Sequence, residues 1–219
     1  MHSWNGKFRR PADLWTANFN EPMQNNLLWV YEGLTDYYGN VLTARSGMRT
    51  PEQTRDVLAQ IAANFEISPG RTWRLLEDTT NQSVISSHGA TPQSWPSWQR
   101  SYDYYPESDL IWLDADTIIR ERSNGQKSLD DFAKLFFGIN NGSYTTVTYT
   151  LEDLVKALNT VQPYDWSESD QSVGPFSHVL PQRPRLLATS GPVFLRTGNS
   201  ENGHFTGLQE IEPPLFAGS

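Results

Sequence analysis

His2 and Glu32 are the residues of this chain best suited to hold a metal ion. Asp36 follows Glu32 four places on, in the run Trp29-Val30-Tyr31-Glu32-Gly33-Leu34-Thr35-Asp36. A catalytic zinc takes three protein ligands and leaves its fourth position to water, whose pKa falls toward about 7. In one such arrangement a helix carrying H-E-x-x-H supplies two histidines and a general-base glutamate, and a following helix supplies a glutamate ligand and an aspartate that orients an imidazole. Residues four apart on a helix lie one above the other, so Glu32 fits the ligand and Asp36 the orienting group. His2 would then be the second histidine, with the first histidine and the base glutamate expected upstream of Met1. The commoner fate of a Glu-x-x-x-Asp pair is an exposed helix face with two solvated acids, so spacing alone does not decide.

The elements that must position these residues are mostly helices. Residues 1 to 22 read as the end of one helix and an irregular connection broken by Pro11 and Pro22. Met23 to Ser46 reads as an amphipathic helix, with Leu27, Tyr31, Leu34, Tyr38 and Val41 on its apolar stripe and Gly47 as its stop. Thr50-Pro51-Glu52 caps a helix running to about Phe65, and a short helix is expected from Arg71 to about Thr79. A long polar excursion then extends through Trp98. Further helices are expected over Pro106–Ser123, from the Ser128 cap to Phe137, and from the Thr150 cap to about Thr160, with a brief strand or an extended link at Tyr144–Tyr149. From about Trp166 helical period disappears and turn formers dominate, so 167–219 is expected to be a poorly ordered tail, either a flexible extension or the product of a shifted reading frame.

Composition narrows the chemistry. A chain of 219 residues with 37% hydrophobic side chains can build a sizeable core. Its net charge of -8 leaves no compact basic surface to neutralise phosphates, which argues against nucleic acid as a partner. Without cysteine there are no disulfides and no thiolate metal ligands, so a metal must be held by nitrogen and oxygen. No apolar run is long enough for a membrane span.

The blocks around the candidate ligands carry a resemblance. His2-Ser3-Trp4-Asn5-Gly6-Lys7 with Arg9-Arg10-Pro11, the run Leu28 to Gly39, Pro69-Gly70-Arg71, Asp103-Tyr104-Tyr105-Pro106-Glu107, Leu110 through Arg122, and Ser128 to Phe132 with Phe136-Phe137-Gly138 stand in the order seen in the glycyl aminopeptidase family of zinc metallopeptidases, which the chain resembles over residues 1 to 166. The resemblance implies a mainly α fold, the C-terminal helical part of a thermolysin-like catalytic domain, ordinarily followed by a PDZ domain. It implies zinc as cofactor, His2 and Glu32 as metal ligands, Asp36 behind them, and a peptide substrate cleaved after small N-terminal residues such as Gly or Ala. It also implies that a fragment without the first histidine and the base glutamate is inactive alone. Related aminopeptidases place a tyrosine in a Tyr-x-x-Gly setting after the zinc helices to stabilise the oxyanion. Tyr105 is the counterpart, with Ser108 where that pattern has Gly, and Tyr104 beside it competes for the role.

Other readings stay open. Arg9 and Arg10 suit a substrate carboxylate or nearby acids equally. His88, His178 and His204 occur in loop-like contexts without ligand spacing. A non-catalytic helical binding module would keep the scaffold but lack a base, and a sugar binder would use exposed rings such as Trp95 and Trp98. The sequence leaves oligomeric state and compartment, periplasm or cytoplasm, undetermined.

Overall fold

The computed structural model describes residues 1–82 and 96–166, together with the backbone of two short strands, Leu195–Arg196 and Leu208–Gln209. These residues are mainly helical. In chain order they form β1 (Arg9–Pro11), a π-helix (Trp29–Gly33) running directly into α1 (Leu34–Arg45), α2 (Pro51–Glu66), α3 (Leu76–Thr79), α4 (Pro96–Gln99), α5 (Pro106–Arg122), α6 (Leu129–Phe137), β2 (Val147–Tyr149) and α7 (Leu151–Val161). Short 3-10 turns occupy Ala12–Leu14 and Pro69–Thr72. The strands 195–196 and 208–209 pair antiparallel as β3 and β4.

Local chemistry explains the helix boundaries. Thr50, Ser128 and Thr150 each form a capping box, with Gln53, Asp131 and Asp153 reaching back to the cap residue's backbone N–H. Pro51 and Pro106 stand in the first turns of α2 and α5, where a missing N–H costs nothing.

Helix α5 is the spine. The π-helix, α1 and α2 pack against it, and α6 joins it to α7. Leu110, Ile111, Trp112, Ala115 and Ile119 of α5 are buried, as are Leu27, Leu34 and Tyr38 from the expected stripe, while Tyr31 and Val41 lie at its half-buried margin. An aromatic row threads this core. Trp29 stacks on Trp112 at 5.9 Å, Trp112 on Phe132 at 6.0 Å, Phe132 on Phe136 at 5.0 Å, and Phe136 meets Tyr149 edge-on at 5.0 Å. Each fully buried ring of this kind stabilises the fold by about 2–3 kcal/mol through lost apolar hydration. The row ends where β2 pairs in parallel with β1, Arg9 opposite Val147 and Pro11 opposite Tyr149.

Three expectations are corrected. Residues 1–8 are a series of turns rather than the end of a helix: the Met1 carbonyl accepts from both Trp4 and Asn5 N–H, and positive φ at Gly6 redirects the chain into β1. The helix expected from Met23 begins about five residues later, since Gln24 N–H donates to the Asp13 carbonyl and Met23 is exposed. The expected helix over 71–79 divides into a 3-10 turn and α3, separated where Arg74 turns to donate to the Asp78 carboxylate and to the Gln99 carbonyl. The expected polar excursion falls in part, and the tail in all but the β3–β4 backbone, outside the described residues, as do Trp95, His88, His178 and His204.

Candidate active site

His2 and Glu32, thirty positions apart in sequence, meet in space: His2 Nε2 lies 3.3 Å from Glu32 Oε2. Glu32 is carried by the π-helix. One-turn π segments are commonly found at functional sites, where the wider turn redirects a side chain that a regular helix would place elsewhere. His2 is held from behind, its Nδ1 3.1 Å from the Asn5 carbonyl oxygen. A carbonyl only accepts, so Nδ1 carries the proton of this contact and Nε2 is the nitrogen presented to Glu32. The Tyr31 ring lies 4.9 Å from the imidazole and fixes its plane. Tyr31 in turn needs glycine at position 6, where a Cβ would come within 2.6 Å of the ring.

The π-helix is pressed tightly onto α5. A Cβ at Gly33 would stand 2.0 Å from Ser108 Cβ, so only glycine permits this approach. The consequence is chemical, because the first turn of α5 brings Tyr105 to Glu32, and the Tyr105 hydroxyl donates a hydrogen bond to the Glu32 carboxylate. Tyr104 faces the other way: it is buried in the core with its ring 4.7 Å from that of Tyr105.

Burial pushes the Glu32 carboxyl above the usual carboxylate range and the Asp36 charge adds to this, while His2 and the Tyr105 hydrogen bond act in the opposite sense. Asp36, half-buried one turn along, is also raised by burial. Asp109 of α5 is fully buried and pushed up to about 8 by burial and by the Asp36 charge, against a bond from Asn40 Nδ2 at 2.6 Å. Burial thus holds Glu32, Asp36 and Asp109 above the usual carboxylate range, and of the three it is Glu32 that meets the His2 imidazole.

Zinc fits the pair. With bonds of about 2.0–2.2 Å to nitrogen and oxygen at tetrahedral angles, two zinc ligands stand about 3.4 Å apart, and the imidazole nitrogen and carboxylate oxygen are separated by 3.3 Å. Two lone pairs meeting at that distance repel unless a proton or a cation lies between them. Among the described residues no group of three or more His, Cys, Asp or Glu could hold a metal ion, so the pair by itself falls short of the three protein ligands a catalytic zinc takes.

Against known proteins, the family model of the M61 glycyl aminopeptidases matches residues 1–111. The chain belongs to that family. The matched span contains His2, Glu32, Asp36, Tyr104, Tyr105, Ser108 and Asp109. Membership makes this a peptidase fold whose substrates are peptides, and the M61 assignment agrees with the family read from the sequence blocks. A search of curated proteins returns no match. No helix among the described residues is long and apolar enough to cross a membrane.

Arg9, a candidate for substrate binding in this M61 chain, is instead committed to the fold. Its guanidinium donates to the Phe136 carbonyl at 2.8 Å and lies 4.0 Å over the Phe136 ring. Arg10 Nε donates to the Gly6 carbonyl at 2.9 Å and steadies the turn behind His2. Trp98 is exposed, its carbonyl accepting from the Trp73 indole N–H at 3.1 Å. What sequence reasoning missed is Asn5 and Asp109. Asp109 had one legible signal, an acid on the apolar side of a helix between Ser108 and Leu110.

Asp109 also sets a pH dependence. Its folded pKa of about 8 lies above the unfolded value of about 3.9, so between those limits the folded protein binds more protons and stability falls as pH rises. The contribution is fully present below about pH 4 and lost above about pH 8. Asp109→Asn is expected to flatten this fall, leaving the part due to Asp114, which burial pushes to about 7. The variant should exceed the parent at pH 9 by on the order of 2 kcal/mol in urea unfolding. Parallel stability–pH curves for the two proteins would refute the assignment.

Proposed function

We propose that this chain carries part of the active site of a zinc-dependent aminopeptidase that removes small N-terminal residues such as Gly or Ala from peptides. The 3.3 Å approach of His2 Nε2 to Glu32 Oε2 carries the reading. In it these two residues hold zinc, Asp36 stands behind them to orient a further imidazole, and the remaining ligand and the base glutamate come from an H-E-x-x-H segment that is not among the described residues. When bound, zinc supplies Lewis-acid polarisation and a water of lowered pKa. The chain's own residues do the rest. Asn5 O keeps the imidazole tautomer that offers Nε2, Gly33 lets the π-helix close on α5, and the Tyr105 hydroxyl donates to the oxygen on which negative charge develops as the peptide carbonyl is attacked. Tyr104 serves by packing Tyr105 in place.

The ligand count gives the test. With two protein ligands, the 219-residue chain by itself should lose zinc on dialysis and show little peptidase activity. Under direct titration it should bind zinc saturably, and Glu32→Gln should weaken that binding by at least tenfold. Equal binding by parent and Glu32→Gln rejects the ligand assignment. A helical binding module without a zinc role would give that result.

A further inference from the structure

Nothing in the metal reading explains how two ligands on separate, short, irregular segments are kept at one spacing. His2 belongs to a turn and Glu32 to a π-helix. Both segments converge on Asn5, which is fully buried. Its side-chain Nδ2 donates to the Val30 carbonyl at 3.1 Å and to the Tyr31 carbonyl at 3.0 Å, the two residues immediately before Glu32. Its backbone carbonyl accepts from His2 Nδ1. Its Oδ1 accepts from the Tyr149 hydroxyl at 3.0 Å, which fixes the orientation of the carboxamide from the end of the aromatic row. The Thr35 hydroxyl, one turn on, shares the Tyr31 carbonyl at 2.8 Å.

We infer that Asn5 is the positioning residue of the metal site, a clamp that holds the His2 turn and the Glu32 turn in register so that Nε2 and Oε2 converge on one ion. The inference rests on the proposed role of His2 and Glu32 as ligands. The geometry demands this residue type. Two donors on one planar nitrogen meet two successive carbonyls, while the opposite oxygen meets a phenol; aspartate would face both carbonyls with oxygen, and leucine would remove the link between the two segments. Groups behind metal ligands of this kind change metal affinity by roughly 10–100-fold when removed.

The experiment is a zinc titration of the 219-residue chain against a competing chelator, with Glu32→Ala, Asn5→Ala and Tyr149→Phe beside the parent, and thermal unfolding of each without metal. Glu32→Ala sets the level of binding without the carboxylate ligand. Asn5→Ala is expected to weaken zinc binding by roughly 10–100-fold, whereas Tyr149→Phe, which keeps both amide donors, should change it less than about threefold even if it unfolds at a similarly lowered temperature. If Glu32→Ala weakens zinc but Asn5→Ala binds as the parent does, the clamp is wrong and the ligand pair stands. Unchanged binding by Glu32→Ala sinks both. Losses of affinity that simply track lost thermal stability in Asn5→Ala and Tyr149→Phe would also overturn the clamp. Should Asn5→Ala not fold, the parent still decides: the Asn5 side-chain amide signals in nitrogen-15 spectra must shift on zinc addition, and an unmoved pair refutes the inference.

Discussion

Tyr105→Phe in the active peptidase is expected to lower kcat about 100–1000-fold, with zinc content and KM nearly unchanged. The substitution deletes one hydroxyl from a ring whose position is fixed by other contacts. Tyr105 N–H donates to the Tyr102 carbonyl at 3.1 Å, its own carbonyl accepts from Asp109 N–H at 3.2 Å, and its ring packs on Tyr104. Phenylalanine keeps all of these. The hydroxyl reaches Glu32, so it is within bonding range of the group proposed to hold the ion, and burial together with the Glu32 charge drives its pKa up, keeping the phenol a donor throughout the neutral range. A donor that is always protonated and never ionised stabilises developing negative charge without giving up its proton. Rates on glycyl and alanyl anilides, measured alongside metal analysis, check this. A variant that loses zinc but retains turnover per bound metal would mean that Tyr105 acts by supporting Glu32. One with an unchanged kcat would remove Tyr105 from the mechanism.

The parts of this arrangement visible in the sequence are those whose signal is local. Thr50-Pro51, Ser128 with Asp131, and Thr150 with Asp153 announce helix starts because a cap and its reciprocal partner are three residues apart. Glu32 and Asp36 announce a helix face because four residues make about one turn. His2 was legible through its neighbours Trp4-Asn5-Gly6, a block rather than a spacing. The π-helix was not, since the apolar pattern of 27–41 suits an α-helix and only Gly33 against Ser108, with the Asn5 donors, shows why the turn widens. Nor was the choice between Tyr104 and Tyr105, two adjacent rings whose fates depend on which one α5 turns toward Glu32. The sequence left Arg9 open between a substrate carboxylate and nearby acids because its actual partners, the Phe136 carbonyl and ring, lie 127 positions away. Such long-range pairings leave no periodic trace.

The loop that delivers Tyr105 should be the chain's most sensitive point for stability, and Glu107→Ala the variant that shows it. Glu107 is almost completely buried and stands between two guanidinium groups, accepting from Arg71 Nε at 2.8 Å through one oxygen and pairing with Arg100 through the other. Arg100 is buried as deeply and in left-handed backbone conformation, φ 58°, and its remaining donors go to Asp103 at 2.8 Å and to the Arg74 carbonyl at 2.6 Å. Burial pulls the pKa of both arginines down, a sign that their charge is tolerated only because acids face it. Alanine at 107 would leave both cations beside an empty space, and breaking one side of a buried ion pair costs about 3–5 kcal/mol. The Arg45–Asp130 pair has the same 2.8 Å separation but is largely open to solvent, so its neutralisation should cost less than about 1 kcal/mol. Distance is equal in the Arg71–Glu107 and Arg45–Asp130 pairs, while burial and the number of cations left behind both differ, and both predict the larger loss at Glu107. At about 2–4 °C per kcal/mol for a domain of this size, Glu107→Ala should lower Tm by about 10 °C. Because the network anchors residues 100–107, the same variant should loosen Tyr105 before the helices melt, visible as faster amide exchange at Tyr105 and Asp109 than in α6 or α7. Equal Tm losses from the buried and exposed pairs would show that water reaches Arg100 and that another contact holds the loop.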